Sequence, residues 1–170
     1  GFKDKLYILF GKAKKAGLTT SLDIQWDPVE KWDFDYERIL PVVDVFLPNE
    51  KELLAITKQS SVESAIDVIN EYRSVIVVKR GKNGSVISYD NEFKPCEAFS
   101  NDQVVDAIGA GDSFNTGFIF RYIQDYGLCE CQEFANLIGA ISTTKAGGTT
   151  AFINYQETMK IAKEKFGYEE

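Results

Sequence analysis

The sequence predicts an α/β protein built on a largely parallel sheet. Three observations carry that expectation. Apolar strand-like runs alternate with segments of helical period along the chain. Two of the runs, Val42 to Leu47 and Val75 to Val78, are almost continuously apolar, the pattern of strands covered on both faces. No repeat or flexible linker interrupts the order, so the 170 residues read as one compact unit.

Taken in order, Phe2, Leu6, Leu9, Phe10 and Ala13 recur at helical spacing, which predicts a helix over residues 2–16 with Gly17 as its stop. Leu22, Ile24 and Trp26 alternate with Asp23 and Gln25, a strand pattern. Trp32 to Leu40 reads as a weaker helix closed by Pro41, and Val42 to Leu47 as a buried strand. Ser60 and Glu63 have the spacing of a capping box for a helix that buries Val62, Ala65, Ile66, Ile69 and Tyr72. After the strand Val75 to Val78, Gly81 to Gly84 makes a turn. Ser85 to Tyr89 and Phe93 to Phe99 then form a hairpin through Asp90-Asn91. Residues 112–123, 131–140 and 154–166 are helical, the last behind an Asn-x-x-Glu cap at Asn154. The chain opens on a helix rather than the central strand usual for such a sheet, so the reading is the back part of a larger protein.

Composition removes whole classes of function. The chain is 44% hydrophobic with 12 Phe, 8 Tyr and 2 Trp, too apolar for intrinsic disorder. Nineteen Lys and Arg against 26 Asp and Glu give a net charge of −7, the wrong sign for gripping a nucleic-acid backbone. Lys12, Lys14 and Lys15 read as the solvated face of a helix. There is no His, which removes Ser-His-Asp chemistry, imidazole bases and most catalytic zinc sites. Cys96, Cys129 and Cys131 match neither a disulfide framework nor a zinc knuckle. No apolar run approaches the ~18 residues that span a bilayer, and no leader pattern is visible. The expectation is a cytoplasmic domain with reduced thiols, bound neither to membrane nor to nucleic acid. Its chemistry must run on carboxylates, backbone amides and bound ions.

The sharpest chemical signal is Asp106 to Gly117, DAIGAGDSFNTG. Gly109, Ala110 and Gly111 let their amides approach an anion closely, and the helix that follows aims its positive end at the same point. Asp112, in the first helical turn, can accept a proton from an alcohol while the amides hold the phosphate under attack. The bland alternative is a glycine turn and an acid complementing a helix dipole. The full run resembles the second signature of the ribokinase-like (PfkB) carbohydrate kinases, DTxGAGDxFxxG, with Ala107 in place of the common Thr. The resemblance extends along the chain. Asn49 and Glu52, in PNEKE, match the family's N-x-x-E element, which organises the magnesium–phosphate network; the same spacing is also a capping box. Lys79 to Gly84, KRGKNG, resembles the loop that wraps the nucleotide, with Gly81 and Gly84 against ribose and phosphates. Phe134-Ala135-Asn136 resembles the adenine-side helix, which would put Asn136 at the adenine.

The resemblance implies a three-layer α/β/α, ribokinase-like fold, with residues 1–170 as its nucleotide-binding and catalytic C-terminal portion, without the N-terminal lid. It implies ATP and Mg²⁺ as cofactors and transfer of the γ-phosphate to a sugar hydroxyl. Asp112 would be the base, and Gly109, Ala110 and Gly111 the anion hole. It also implies a monovalent-cation site for K⁺, with Asp106 and Ile108 on one limb and Ser142, Lys145 and Gly147 on the other, mostly through backbone carbonyls. Ala151 stands where ribokinase proper has a Ser, which leaves K⁺ activation open. Family members run to roughly twice this length, and the missing front half carries the Gly-Gly-Asn sugar grip, so residues 1–170 alone are expected to be inactive. Some acid-sugar kinases carry D-x-N-x-R where this chain has Asp23, Gln25 and Asp27; an Asp in place of Arg repels a substrate carboxylate, which favours a neutral sugar or nucleoside. A second copy of the chain, as a homodimer, is a further candidate partner. The rival reading is a non-catalytic nucleotide-binding or regulatory module on the same fold, which would have no need of Asp112.

Overall fold

The computed structural model describes residues 5–169; Phe2, in the predicted opening helix, lies outside them. Helix α1 (Leu6–Lys15) leads to β1 (Ser21–Leu22), α2 (Tyr36–Ile39), β2 (Val45–Phe46), α3 (Glu50–Thr57), α4 (Val62–Ile69) and β3 (Val75–Lys79). A hairpin of β4 (Ser85–Tyr89) and β5 (Glu92–Cys96) follows, then α5 (Ala110–Tyr122), α6 (Leu128–Ser142) and α7 (Tyr155–Phe166). The sheet runs in the order β1-β2-β3-β4-β5. Its first three strands are parallel, with Ser21 opposite Val45 and Val45 opposite Val75. The short β3–β4 and β4–β5 connections admit only antiparallel pairing, so the sheet is mixed: a parallel half with a hairpin at one edge.

The α/β reading holds, and the differences have physical causes. The strand predicted from Leu22 to Trp26 stops at Leu22. Leu47 N still donates to Leu22 O at 2.8 Å, but the next amide facing β1, Asn49 N, donates to Glu52 Oε2 at 2.9 Å instead of continuing the ladder. Beyond it Asp27 draws the backbone into a loop, its carboxylate accepting from the amides of Val29, Lys31 and Trp32. The helix predicted from Trp32 begins only after the Asp35 cap, because Trp32 has a left-handed φ of 49°. Val42 falls in a 3₁₀ turn, Leu40–Val42, rather than in β2. The cap of α4 is Ser61, not Ser60: its hydroxyl accepts from Ser64 N at 3.2 Å. The buried face of that helix is Val62, Ala65, Ile66 and Ile69, whereas Tyr72, predicted with them, falls in the 3₁₀ turn Asn70–Tyr72 beyond the helix and is half-buried. Asp90 and Asn91 both have positive φ, 49° and 63°, the backbone of a tight hairpin turn.

The described residues cluster into two compact units. The first takes the chain up to Lys79 with Val86–Lys94, and the second takes Arg80–Ser85 with the chain from Pro95 onward. The core of the first gathers Leu40, Phe46, Leu53, Ile69, Ile76 and Val78. That of the second gathers Phe134, Leu137, Ile138, Ile141 and Ala162 from α6 and α7. In the second unit α5 and α6 approach so closely that a Cβ on Gly117 would lie 3.0 Å from Ile138, which gives the last residue of the DAIGAGDSFNTG run a packing role.

Candidate active site

In the second unit the glycine-rich run forms the loop and first turn of α5. Gly109 is the N-cap, in the left-handed conformation at φ 75°, and a Cβ there would lie 3.0 Å from Gly148 Cα. Only glycine adopts that backbone without strain. Asp112 sits in the first turn, exposed, with no side-chain hydrogen bond or ion pair among the described residues. The next residues of the helix turn inward, Ser113, Phe114, Gly117 and Phe118 all being buried. The amides of a helix's first turn have no intrahelical partner. One expected member of the anion hole is already engaged, since Ala110 N donates to Ala107 O at 3.2 Å.

The two limbs expected to hold a monovalent cation come together in part. One Asp106 carboxylate oxygen accepts from Ile108 N at 2.9 Å and the other from Gly147 N at 3.0 Å. These amides, Gly147 first, hold the Asp106 carboxyl below the usual carboxylate range. The carboxylate therefore staples the 106–109 loop to the 147–148 loop. Lys145 is exposed, whereas Ser142 closes α6 fully buried, and its hydroxyl is the one buried side-chain polar atom without a partner among the described residues. Ala151 is buried and brings no oxygen on its side chain.

The Arg80–Ser85 loop has its own close constraint. Gly84, at φ 75°, lies against the backbone of residues 96–98: a Cβ would run into the Cys96 carbonyl and sit 2.7 Å from Ala98 N. Gly81, at φ 57°, is exposed with open space around it. Asn136 of α6 is 7% exposed and donates to Ser85 Oγ at 2.9 Å, and Gln132, one turn earlier, donates to the same oxygen at 3.1 Å. Asn136 is thus fixed to the end of the loop expected to wrap the nucleotide. Burial pushes the neighbouring Cys96 thiol up, with the Asn136 amide acting against it. Ser85 and Gln132 carry no sequence pattern that would single them out.

In the first unit, Asn49 and Glu52 form a complete capping box. Asn49 Oδ1 accepts from Glu52 N at 2.9 Å, and Glu52 Oε2 accepts from Asn49 N at 2.9 Å. Glu52 is only 5% exposed, and burial pushes its carboxyl up. The Asn49 side-chain amide also acts on the Glu52 carboxylate, opposing the effect of burial, so the two side chains form one polar unit suited to orienting metal-bound water. Among the described residues no three acidic or thiol side chains gather into a metal cage. A divalent ion here would draw most of its ligands from phosphate and water, the habit of Mg²⁺, and Asn49 and Glu52 fit an outer-shell part. Lys79, at the end of β3, donates to Asp23 Oδ2 at 2.9 Å. Asp23 thereby joins the corner, which the sequence, compared with D-x-N-x-R, did not reveal.

In the first unit charged groups gather at the carboxyl ends of parallel strands, where such sheets bind ligands, and in the second a glycine-capped helix carries an exposed Asp. The comparisons go further. The pfkB family of carbohydrate kinases matches residues 1–154. A nucleoside kinase of Methanothermobacter thermautotrophicus is 32% identical over 134 residues, 78% of this chain and 42% of that protein. An ATP-dependent ribose-1-phosphate kinase of Halopiger xanaduensis is 30% identical over 140 residues, 82% of this chain and 45% of that protein. Arabidopsis thaliana ribokinase, solved with ribose and ATP, superposes with a TM-score of 0.82 at 23% identity, covering 92% of this chain and 51% of that one. The fold is the three-layer α/β/α, ribokinase-like one, and the chain belongs to the pfkB family of carbohydrate kinases. It spans less than half the length of the curated relatives just named. Among the described residues no helix is long and apolar enough to cross a membrane.

Proposed function

We propose that this chain is the nucleotide-binding and catalytic part of an ATP-dependent kinase that transfers the γ-phosphate to a hydroxyl of a neutral sugar or nucleoside. The observation that carries the reading is Asp112: a carboxylate with no structural partner, three residues after a glycine cap, where a helix N-terminus can hold an anion. Asp112 takes the proton of the attacking hydroxyl. The amides of Gly109, Ala110 and Gly111 face the charge that develops on the transferred group, with the Ala110 amide exchanging its long bond to Ala107 for the phosphate. Asn136, Lys79, Gly81 and Gly84 hold the nucleotide. Asn49 and Glu52 would orient the waters of a Mg²⁺ ion, which would supply positive charge against the phosphates. The limbs around Asp106, Ile108, Ser142, Lys145 and Gly147 take K⁺. Three unpaired cysteines support a reducing cytoplasm.

The sugar class rests on charge. Asp23 and Glu52 place carboxylates beyond the ends of β1 and β2, and Asp27, at the Arg position of D-x-N-x-R, spends its carboxylate on the amides of Val29, Lys31 and Trp32. The name of one relative, a nucleoside kinase, agrees with a neutral ribosyl acceptor. The test is ADP release by the complete protein with a panel of neutral sugars, nucleosides and acid sugars. Sugar- or nucleoside-dependent release is expected from the complete protein and none from residues 1–170 alone. Tight ADP binding without release for any acceptor would overturn the reading in favour of a nucleotide-binding module.

A further inference from the structure

We propose that Asp23 is a positioning residue: it stretches Lys79 across the carboxyl end of β2 and holds the ammonium where the polyphosphate of the nucleotide arrives. The proposal rests on the kinase reading and deepens it. The sheet order places β2 between β1 and β3. Neighbouring strands lie about 4.8 Å apart, so β1 and β3 are separated by roughly 10 Å. Asp23 directly follows β1 and Lys79 is the last residue of β3, yet Lys79 Nζ lies 2.9 Å from Asp23 Oδ2. The lysine stem must therefore cross the end of β2, over the Pro48–Asn49 step that opens α3.

The backbone fixes the base of that span. Lys79 N donates to Pro48 O at 3.0 Å, and Lys79 bridges Asn49 in parallel register. The lysine side chain is 12% exposed and that of Asp23 29%. A freely exposed ion pair of this kind contributes almost nothing to stability. Here the lysine is mostly covered while Asp23 faces solvent, and the pair spans 56 residues of sequence and lies where parallel sheets bind their ligands. Its second effect concerns Glu52, which senses the charges of both Asp23 and Lys79. A lysine held at its tip presents its charge at one place, while an untethered one spreads it over many rotamers.

This division of labour predicts opposite signatures for the two residues. In the complete protein, Lys79→Met should weaken ADP binding, read by calorimetric titration, about tenfold or more. Asp23→Asn should leave ADP binding unchanged or tighter, since it removes a negative charge beside the phosphates, while kcat falls about tenfold through misplacement. In the Lys79→Met background Asp23→Asn should have no further effect on kcat, and Asp23→Glu should restore part of the loss. The proposal is overturned if Asp23→Asn lowers Tm, kcat and ADP affinity together, as a purely structural pair would. It is equally overturned if the two substitutions multiply in the double variant, or if Lys79→Met leaves ADP binding intact. The ADP titrations do not depend on an acceptor. A protein that binds ADP with these signatures but never releases it would defeat the kinase reading while sustaining the role of Asp23.

Discussion

Glu52 and Asp112 occupy the same position in two helices, the third residue after the N-cap, and have opposite fates. At α3 the cap is Asn49, in extended backbone, and its side chain and amide draw Glu52 into a closed capping box. At α5 the cap is Gly109, in left-handed backbone with no side chain, and Asp112 is left without a partner among the described residues. The cap residue decides whether an acid in the first turn serves the helix or the solvent side of the site. An acid with no structural role is the stronger functional candidate. One that closes a capping box has to be shown to do anything more.

Substitutions at the two caps separate these roles. Gly109→Ala attacks the α5 side hardest. A left-handed alanine costs about 1–2 kcal/mol, and its Cβ would press within 3.0 Å of Gly148 Cα. Stability should fall by about 2 kcal/mol, seen as a lowered denaturant midpoint, with turnover falling further because the loop that carries the anion hole moves. A variant as stable as the parent would show that the loop relaxes freely. At the other cap, Asn49→Ala should cost about 0.5–2 kcal/mol. Glu52→Gln keeps an acceptor for Asn49 N and should melt nearly unchanged while needing more Mg²⁺ for half-maximal activity. If instead Glu52→Gln melts lower and its Mg²⁺ dependence is unaltered, the capping box is all that Glu52 does.

The smallest effect belongs to the staple behind Asp112. The Asp106 carboxyl is held below its usual 3.8 by Gly147 N and Ile108 N. A carboxyl depressed in the folded state stabilises above the unfolded pKa, and that contribution is lost as pH falls through the folded value. Asp106→Asn should therefore be less stable than the parent at neutral pH, and the gap should close below about pH 4. A gap independent of pH would mean that the carboxylate charge contributes nothing to holding the two loops together.

Much of this was legible along the chain. Period and apolar runs located α4, β3, the Asp90-Asn91 turn and the three C-terminal helices, because each is stabilised by residues near in sequence. The DAIGAGDSFNTG run was readable for the same reason: cap, anion loop and acid are contiguous. What escaped was tertiary. Asp23 meets Lys79 across 56 residues. Gly84 is confined by the backbone of residues 96–98 rather than by its own turn. Ser85 acquires its place only because Gln132 and Asn136 converge on it. The strand after Leu22 was over-extended because alternation cannot register that the next partner amide, Asn49 N, is taken by Glu52. Asn49 and Glu52 remained ambiguous because one spacing serves two purposes.

The most direct measurement is turnover and Tm, side by side, for Asp112→Asn in the complete protein with a sugar that supports ADP release. Loss of a general base is expected to lower turnover at least ~10²-fold. Tm should stay nearly unchanged, because an exposed acid in a first helical turn contributes only about 0.3–1 kcal/mol, and ADP affinity should shift far less than turnover. Retained turnover in the purified variant would remove Asp112 from the chemistry and contradict its assignment as the base.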